Sequence, residues 1–392
     1  MKTIKLQTKL FFIIVITLVC GLHMSQVNAQ SSNPVPVVFD VPFAPIPVKA
    51  MDKVNLVYEL HITNFSGANL VLTGVEVLAD DARTTSLASY RDAELNKRLG
   101  LINPNPDSKE KNVIGGGKRA MVFLMISTDA SNAPTALRHR LFFKPTAADS
   151  GDKELTVEGT RVAVQNDKPL VIGPPLRGRW AAGNGLSNDT GHRHAIIPIN
   201  GQARIAQRFA TDWVKFGDDG HIARGGDLSQ NANYYGYGAE VLAVANAVVV
   251  GVKDGITENV PRTKERAVPI TVDTIAGNYI LLDIGRGRFA VYAHLQPQSL
   301  KVKVGDKIKR GQVLGLVGNS GNSGMPHLHF HLTNAASPFA AEGVPYVFNS
   351  FLMQGVANTT AERIGGEFRP APNAESKRQM EMPIQNAVVV FP

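Results

Sequence analysis

Apolar and polar positions alternate with a period of two along much of the chain, which is the pattern of β-strands. Residues 54–62 are one example, with Leu56, Tyr58 and Leu60 set against Asn55 and Glu59. Such runs are separated by turn-rich polar stretches and lie at 54–62, 70–78, 120–126, 137–143 and 155–164. Several short strands without a helical period predict an immunoglobulin-like β-sandwich over residues 30–165.

A second strand-rich region follows a segment that is rich in Pro, Gly and Asn. We interpret that segment, residues 166–190, as a linker. Strand patterns then recur at 239–252, 278–284, 288–295, 301–304 and 313–317. The sequence therefore predicts an all-β protein of two domains, with a second β domain at 191–347 and an irregular tail at 348–392.

The N-terminus has the features of an export signal. Three lysines precede the apolar run Leu10 to Leu18, and Ala29 ends a stretch that a signal peptidase would accept. We expect residues 1–29 to be removed and the protein to act in the periplasm, outside the cell or in the cell envelope. A membrane anchor is the alternative, but the apolar run is short for a bilayer. A lipoprotein with lipid on Cys20 is another, although Val19 occupies a position where that signal has a small residue.

Charge and cysteine content limit the chemistry. The formal charge is +8, and removing three lysines with residues 1–29 leaves about +5. This surplus fits an anionic polymer, whereas no basic stripe with interleaved aromatic residues indicates nucleic acid. Because Cys20 is the only cysteine, any metal in the exported chain must be bound by His, Asp or Glu. No stable membrane insertion is expected after cleavage, and the oligomeric state is left open.

The strongest chemical signal is a strand in which histidine alternates with apolar residues. Three of the ten histidines, His327, His329 and His331, fall within five residues. A period of two places them on one face, which is the arrangement of a metal or catalytic site. A half-buried strand with hydrogen-bonded histidines is the alternative interpretation.

Residues 278–332 also carry a set of motifs in a characteristic order. They are Gly277-Asn278-Tyr279-Ile280, Tyr292-Ala293-His294-Leu295, the stretch from Val304 to Val313, Gly318-Asn319-Ser320-Gly321 and His327-Leu328-His329-Phe330. This set resembles the lysostaphin/LytM-type zinc endopeptidases. The resemblance implies a duplicated hybrid motif fold and a secreted zinc metalloendopeptidase that hydrolyses peptide cross-links of bacterial peptidoglycan.

The resemblance also implies roles for individual residues. His329 matches the zinc-binding second histidine of the paired motif, and His327 and His294 match the catalytic histidines. The segment Arg208 to Trp213 resembles the one that carries a further ligand, which makes Asp212 the candidate. Zn²⁺ bound by two histidines and one aspartate would keep an open position for water.

The sequence departs from the family pattern at Arg208, where the family has its first histidine ligand. A guanidinium stays protonated and has no lone pair for a metal. We prefer His192 as the replacement ligand, with His194 and His331 as alternatives. Arg208 itself is predicted to be a surface residue paired with a carboxylate.

The remaining candidates have structural as well as functional interpretations. The loop from Val214 to Gly238 either lines a substrate groove through Tyr234, Tyr235 and Tyr237 or is a mobile loop with packed tyrosines. His221 in that loop is expected to be exposed to solvent rather than a ligand. His61 and His139 are expected to be structural.

Two further functions remain as alternatives. A degenerate relative could bind wall peptides or regulate a partner hydrolase without cutting, as Arg208 would permit. The stretch from Val304 to Val317 also resembles the hairpin of biotinyl and lipoyl carrier domains. That carrier interpretation lacks the tripeptide around the modified lysine, and it gives the three histidines no role.

Overall fold

The computed structural model describes residues 35–80, 85–101, 111–146, 153–357 and 375–392. The described residues form one compact unit. The expected signal peptide and Cys20 lie outside the described residues. Among the residues described, no helix is long and apolar enough to cross a membrane.

The described residues are mostly β-strand, which confirms the all-β prediction. The strands of the first part are β1 Val37–Asp40, β2 Val48–Ala50, β3 Lys53–Asn64, β4 Leu70–Ala79, β5 Ser86–Arg91, β6 Leu99–Leu101, β7 Val113–Ile114, β8 Arg119–Thr128, β9 Ala136–Pro145, β10 Leu155–Glu158 and β11 Val162–Ala163. Helix α1, Asp92–Arg98, and a 3₁₀ turn at Ala130–Asn132 interrupt them.

The second part is also built of short strands. They are β12 Leu170–Ile172, β13 Gly178–Gly183, β14 Ile197–Ile199, β15 Gln202–Arg204, β16 Thr211–Val214, β17 Glu240–Leu242, β18 Ala247–Lys253, β19 Asn278–Asp283, β20 Phe289–Leu295, β21 Lys307–Ile308, β22 Val313–Leu316, β23 Leu328–Thr333, β24 Gly343–Val344, β25 Tyr346–Phe348, β26 Phe351–Val356, β27 Ser376–Arg378 and β28 Ala387–Phe391. Helical turns occur at α2, Gly191–His194, and at Asn231–Asn233.

Two antiparallel sheets make up the first part. One has the order β1-β3-β8-β6 with β2 beside β3, and the other has the order β10-β9-β4-β5 with β7 and β11 at its edges. Apolar side chains from both sheets share one core, to which β3, β4, β8 and β9 contribute most. The assignment of this region as immunoglobulin-like stays a prediction.

The opposite face of the first sheet is covered by the second part. On β3, Val57 belongs to the core of the second part, and Glu59 is buried on that same face. Ile46 and the β2 residues Val48 and Ala50 join the same cluster as Trp180 and Trp213. The two parts therefore share apolar packing in addition to the chain that connects them.

An eleven-stranded sheet forms the centre of the second part. Its order is β21-β18-β19-β20-β23-β16-β13-β28-β26-β27, with β24 beside β23. The four neighbouring strands β20, β23, β16 and β13 are all paired antiparallel. This pairing brings together residues that lie near the same edge of the four strands.

Two boundary predictions are wrong. The predicted linker contains β12 and β13, because its apolar residues Leu170, Ile172 and Trp180–Ala182 are buried or packed within the second part. The predicted irregular tail contains β26, β27 and β28, and the apolar segment Ala387–Phe391 pairs with both β13 and β26. Pro and Gly in the flanking turns give these segments the composition of loops. Their short strands form through pairing with other strands of the sheet.

Candidate metal centre and active site

Cross-strand pairing places Asp212 beside His329. Asp212 on β16 is the direct partner of His329 on β23, and Gly183 on β13 is the partner of Asp212 on the other side. Residues directly opposite in an antiparallel pair present their side chains on the same face. The Nδ1 atom of His329 is 2.9 Å from Oδ1 of Asp212.

His192 reaches the same point from α2. Its Nε2 atom is 3.4 Å from Oδ2 of Asp212, and its ring centroid is 4.7 Å from that of His329. Among the described residues, His192, Asp212 and His329 form a group whose potential ligand atoms all lie within 4.8 Å of one another. Ligand atoms about 2.0–2.2 Å from a tetrahedral zinc ion lie about 3.4 Å apart. The observed separations fit a metal centre of this kind.

Asn184 orients both His192 and Asp212. Its carbonyl oxygen accepts from Nδ1 of His192 at 3.3 Å, which leaves Nε2 of that ring without a proton and facing Asp212. The Asn184 amide also donates to Oδ2 of Asp212 at 2.8 Å. The sequence assigned Asn184 only to a linker, and no sequence pattern revealed this contact.

His331 lies behind His329. Nε2 of His329 is 3.0 Å from Nδ1 of His331, and Nε2 of His331 is 3.1 Å from the Pro338 carbonyl. If each Nε2 carries the proton, His329 donates to His331, and His331 donates to Pro338. That arrangement leaves Nδ1 of His329 free for a metal. The prediction that His327, His329 and His331 share one face agrees with the cleft that all three line.

His294 and His327 complete the cluster. The ring centroids of His294 and His327 are 4.9 Å apart, and that of His294 is 5.6 Å from His329. Nδ1 of His294 contacts the Ser320 carbonyl at 2.8 Å, and Nδ1 of His327 contacts the Met325 carbonyl at 2.8 Å. Both rings therefore present Nε2 toward the cleft.

The backbone around His294 is specialised. His294 has a φ of +63°, an uncommon conformation for a residue with a side chain, and it lies one residue before the end of β20, where the pairing with β19 is irregular. The glycine-rich loop at 318–324 approaches closely enough that a Cβ on Gly321 would lie 2.3 Å from the Gly277 nitrogen. Glycine at this position lets the loop present Ser320 to His294.

Burial and mutual charge perturb the pKa values of the cluster. Burial lowers the pKa of His192 to about 4 and that of His294 well below its usual value. Burial alone would raise the pKa of Asp212, but His192 and His327 hold it well below its usual range. Burial alone would lower the pKa of His327, but the Asp212 carboxylate raises it. The geometry thus combines an ionised carboxylate with two imidazoles, those of His192 and His294, that stay neutral and available as a ligand or a proton acceptor.

A cleft of about 640 Å³ opens above these groups. Its apolar wall includes Ile197, Ile275 and Phe339. Tyr234, Tyr235 and Tyr237 do not line it, since their hydroxyl groups contact Leu228, Asp219 and Glu258 within or beside their own loop. His221 lies with Tyr234 at a separate cavity, outside the group of converging ligands.

Arg208 does not reach the cleft and is not a surface residue. Its side chain is almost fully buried and pairs with Glu59 at 2.8 Å and with Glu342 at 2.9 Å. The predicted carboxylate pairing is therefore present, but the predicted surface location is wrong, because the first part of the chain covers Arg208. His194 also points away from the cleft and stacks on Phe123 with a centroid separation of 4.2 Å.

Comparison with known proteins relates this region to a hydrolase family. The family model described as Peptidase family M23 matches residues 234–341, a range that includes His294, His327 and His329 but not His192 or Asp212. The chain is 41% identical over 66 residues to the peptidoglycan DD-endopeptidase ShyA of Vibrio cholerae, covering 17% of this chain and 15% of that protein.

Similar relationships hold for other relatives. The glycyl-glycine endopeptidase ALE-1 of Staphylococcus capitis is 46% identical over 52 residues, covering 13% of this chain and 14% of that protein. The chain thus spans about a seventh of the length of these curated relatives. The catalytic domain of lysostaphin from Staphylococcus simulans is similar in structure, with a TM-score of 0.23, 21% identity and coverage of 43% of this chain and 88% of that domain.

Proposed function

We propose that the chain, whose residues 234–341 match Peptidase family M23, is a secreted zinc metalloendopeptidase that hydrolyses peptide cross-links of bacterial peptidoglycan. The observation that carries the proposal is the convergence of His192, Asp212 and His329 beside His294 and His327. The name of the Vibrio cholerae relative supports peptidoglycan as the substrate. An extracytoplasmic location follows from that substrate.

We assign the metal to His192, Asp212 and His329. A bound zinc ion would polarise the scissile carbonyl and lower the pKa of a bound water. The orientation of each ligand is maintained by a neighbour, because Asn184 holds His192 and Asp212, and His331 holds His329. Arg208, which has no lone pair, takes no part in binding the metal.

His294 and His327 perform the proton transfers. Because each ring commits Nδ1 to a carbonyl group, its Nε2 is directed to the cleft, where it can accept a proton from the attacking water or donate one to the leaving amine. His327 Nε2 is 3.3 Å from Asp212 Oδ1, and this contact fixes the orientation of the ring.

Digestion of purified muropeptides, together with metal analysis, tests this function. We expect the wild-type protein to contain zinc and to release peptide fragments, and a chelator to abolish that release. His329→Ala should lose most of the zinc. His327→Gln should keep the zinc while its rate of hydrolysis falls by about 10²- to 10⁴-fold, as loss of a general acid or base does.

His221→Gln is the matched control, since His221 lies outside the cluster. It should leave both zinc content and hydrolysis unchanged. A wild-type protein that binds wall peptides without cleaving them would contradict the proposal and support the degenerate, non-catalytic alternative.

A further inference from the structure

A buried ionic network joins the first part of the chain to the segment that carries His192. Glu59 on β3 pairs with Arg193 and Arg208, and all three side chains are almost completely excluded from solvent. Arg193 also donates to the Tyr58 carbonyl at 2.6 Å and lies over the Phe123 ring. Arg193 is adjacent in sequence to His192, so the network reaches within one residue of the metal centre.

The position of Arg193 determines where its neighbours point. Helix α2 is a single turn, capped by Thr190, whose hydroxyl oxygen accepts from the Arg193 amide at 3.2 Å. Successive residues of a helix are about 100° apart around the axis. With Arg193 directed into the first sheet, His192 is turned toward the cleft and His194 is turned onto Phe123.

The flanking residues of α2 are anchored to the same sheet. The Asn188 amide donates to the Phe123 carbonyl at 2.9 Å, and Ile196 packs against the cluster of Met121, Phe123 and Ile205. The segment that carries His192 therefore packs against β3 and β8, whereas Asp212 and His329 are held by the large sheet of the second part. The three candidate ligands depend on both parts of the chain.

We infer that the first part of the chain completes the metal centre and that Glu59, acting through Arg193, is a positioning residue for His192. Removing the Glu59 charge leaves the buried guanidinium of Arg193 without its partner, which favours rearrangement of α2. The same carboxylate pairs with Arg208, which does not line the cleft. This inference rests on the proposed metal centre.

A double-mutant cycle on the full-length protein tests the inference. The zinc affinities of wild type, Glu59→Gln, His192→Ala and the double variant are measured by competition with a chromogenic chelator. We expect Glu59→Gln to weaken zinc binding about 10- to 100-fold, as loss of an outer partner of a metal ligand does. In the His192→Ala background the same substitution should have no further effect, because the group through which it acts is gone.

Glu342→Gln is the matched control. Glu342 pairs with Arg208 in the same network but does not contact Arg193, so its variant should bind zinc as wild type does. If Glu59→Gln does not fold, Arg193→Lys replaces it in the cycle, because a lysine keeps the charge but loses the forked contacts to Glu59 and the Tyr58 carbonyl.

Two results would overturn the inference. One is an unchanged zinc affinity in the folded Glu59→Gln or Arg193→Lys variant, and the other is an equal loss of affinity in both backgrounds, which would indicate a general structural effect. Histidine NMR signals of the metal-free proteins give a reading that is independent of zinc, and the largest changes should be in the signals of His192 and His194, the two histidines of α2. A wild-type protein that binds zinc but cleaves no muropeptide contradicts the proposed function and leaves this inference intact.

Discussion

The role of each histidine in the cleft depends on which ring nitrogen is already committed to a neighbour. His192 and His294 commit Nδ1 to backbone carbonyl groups, whereas His329 commits Nε2 to His331. The free nitrogen is then Nε2 on the first two rings and Nδ1 on the third. A sequence pattern can place these residues on one face, but it does not specify the tautomer, which depends on contacts made after folding.

Substitution of His331 tests this relation at the residue scale. In His331→Phe the ring volume is similar, but His329 loses the acceptor for its Nε2 proton, so its tautomer is no longer fixed. We expect zinc affinity to fall about 10- to 100-fold, measured by chelator competition. His221→Gln provides the control. Equal zinc affinity in His331→Phe and wild type would mean that His331 only fills space behind the metal centre.

The sequence identified part of the site and missed the rest for definite reasons. His294, His327 and His329 lie in short motifs that local pattern reveals. The sequence favours His192 only through its position before Asp212 in the same region and next to the flexible Gly191. The burial of Arg208 depends on Glu59, 149 residues earlier in the chain, and the role of Asn184 depends on the pairing of β13 with β16. Such distant contacts leave no local signal.

At the scale of elements, the period of two predicts the strands correctly, but it does not predict whether the polar face of a strand is exposed or buried. On β3 the polar residues Asn55, Glu59 and His61 alternate with apolar ones, which is typical of a strand with one face in solvent. All three are buried instead. Glu59 pairs with Arg193 and Arg208 of the second part, so its polarity reflects a buried ionic contact and not exposure to water.

His139 on β9 faces the core between the first two sheets and supports a prediction about pH. Its Nε2 is 2.9 Å from the Tyr58 hydroxyl, and burial lowers its pKa from 6.5 to about 4. The unfolded chain therefore binds a proton more readily than the folded chain between these values. The contribution to stability is fully present above pH 6.5 and is lost as pH falls toward 4, by about 3 kcal/mol in total.

The comparison of wild type with His139→Gln isolates this contribution. Glutamine can still bond to the Tyr58 hydroxyl but does not titrate. We expect the difference in unfolding free energy between the two proteins to shift by about 3 kcal/mol in favour of the variant between pH 7 and pH 4, as followed by urea unfolding. Parallel pH profiles would show that His139 is not the group responsible.

At the scale of the whole molecule, the described residues behave as one packed body, with the candidate metal ligands in its second part. Ile46, Val48 and Val57 belong to the same apolar cluster as Trp180 and Trp213. The last strands add further contacts, since Lys49 pairs with Glu381 at 3.0 Å and its carbonyl accepts from the Met382 amide. Unfolding of one part would expose the core and the buried charges of the other.

Calorimetry with and without zinc tests this coupling. We expect a single unfolding transition in the metal-free protein, because the parts share a core, and a shift of that entire transition to higher temperature on adding zinc. Zinc at about 1,000 times its dissociation constant should add about 4 kcal/mol to the free energy of unfolding, provided that it binds only the folded chain. His329→Ala should unfold in one transition that zinc leaves in place. Two transitions in wild type, of which zinc moves only one, would contradict the coupling, since the metal would then stabilise the second part alone.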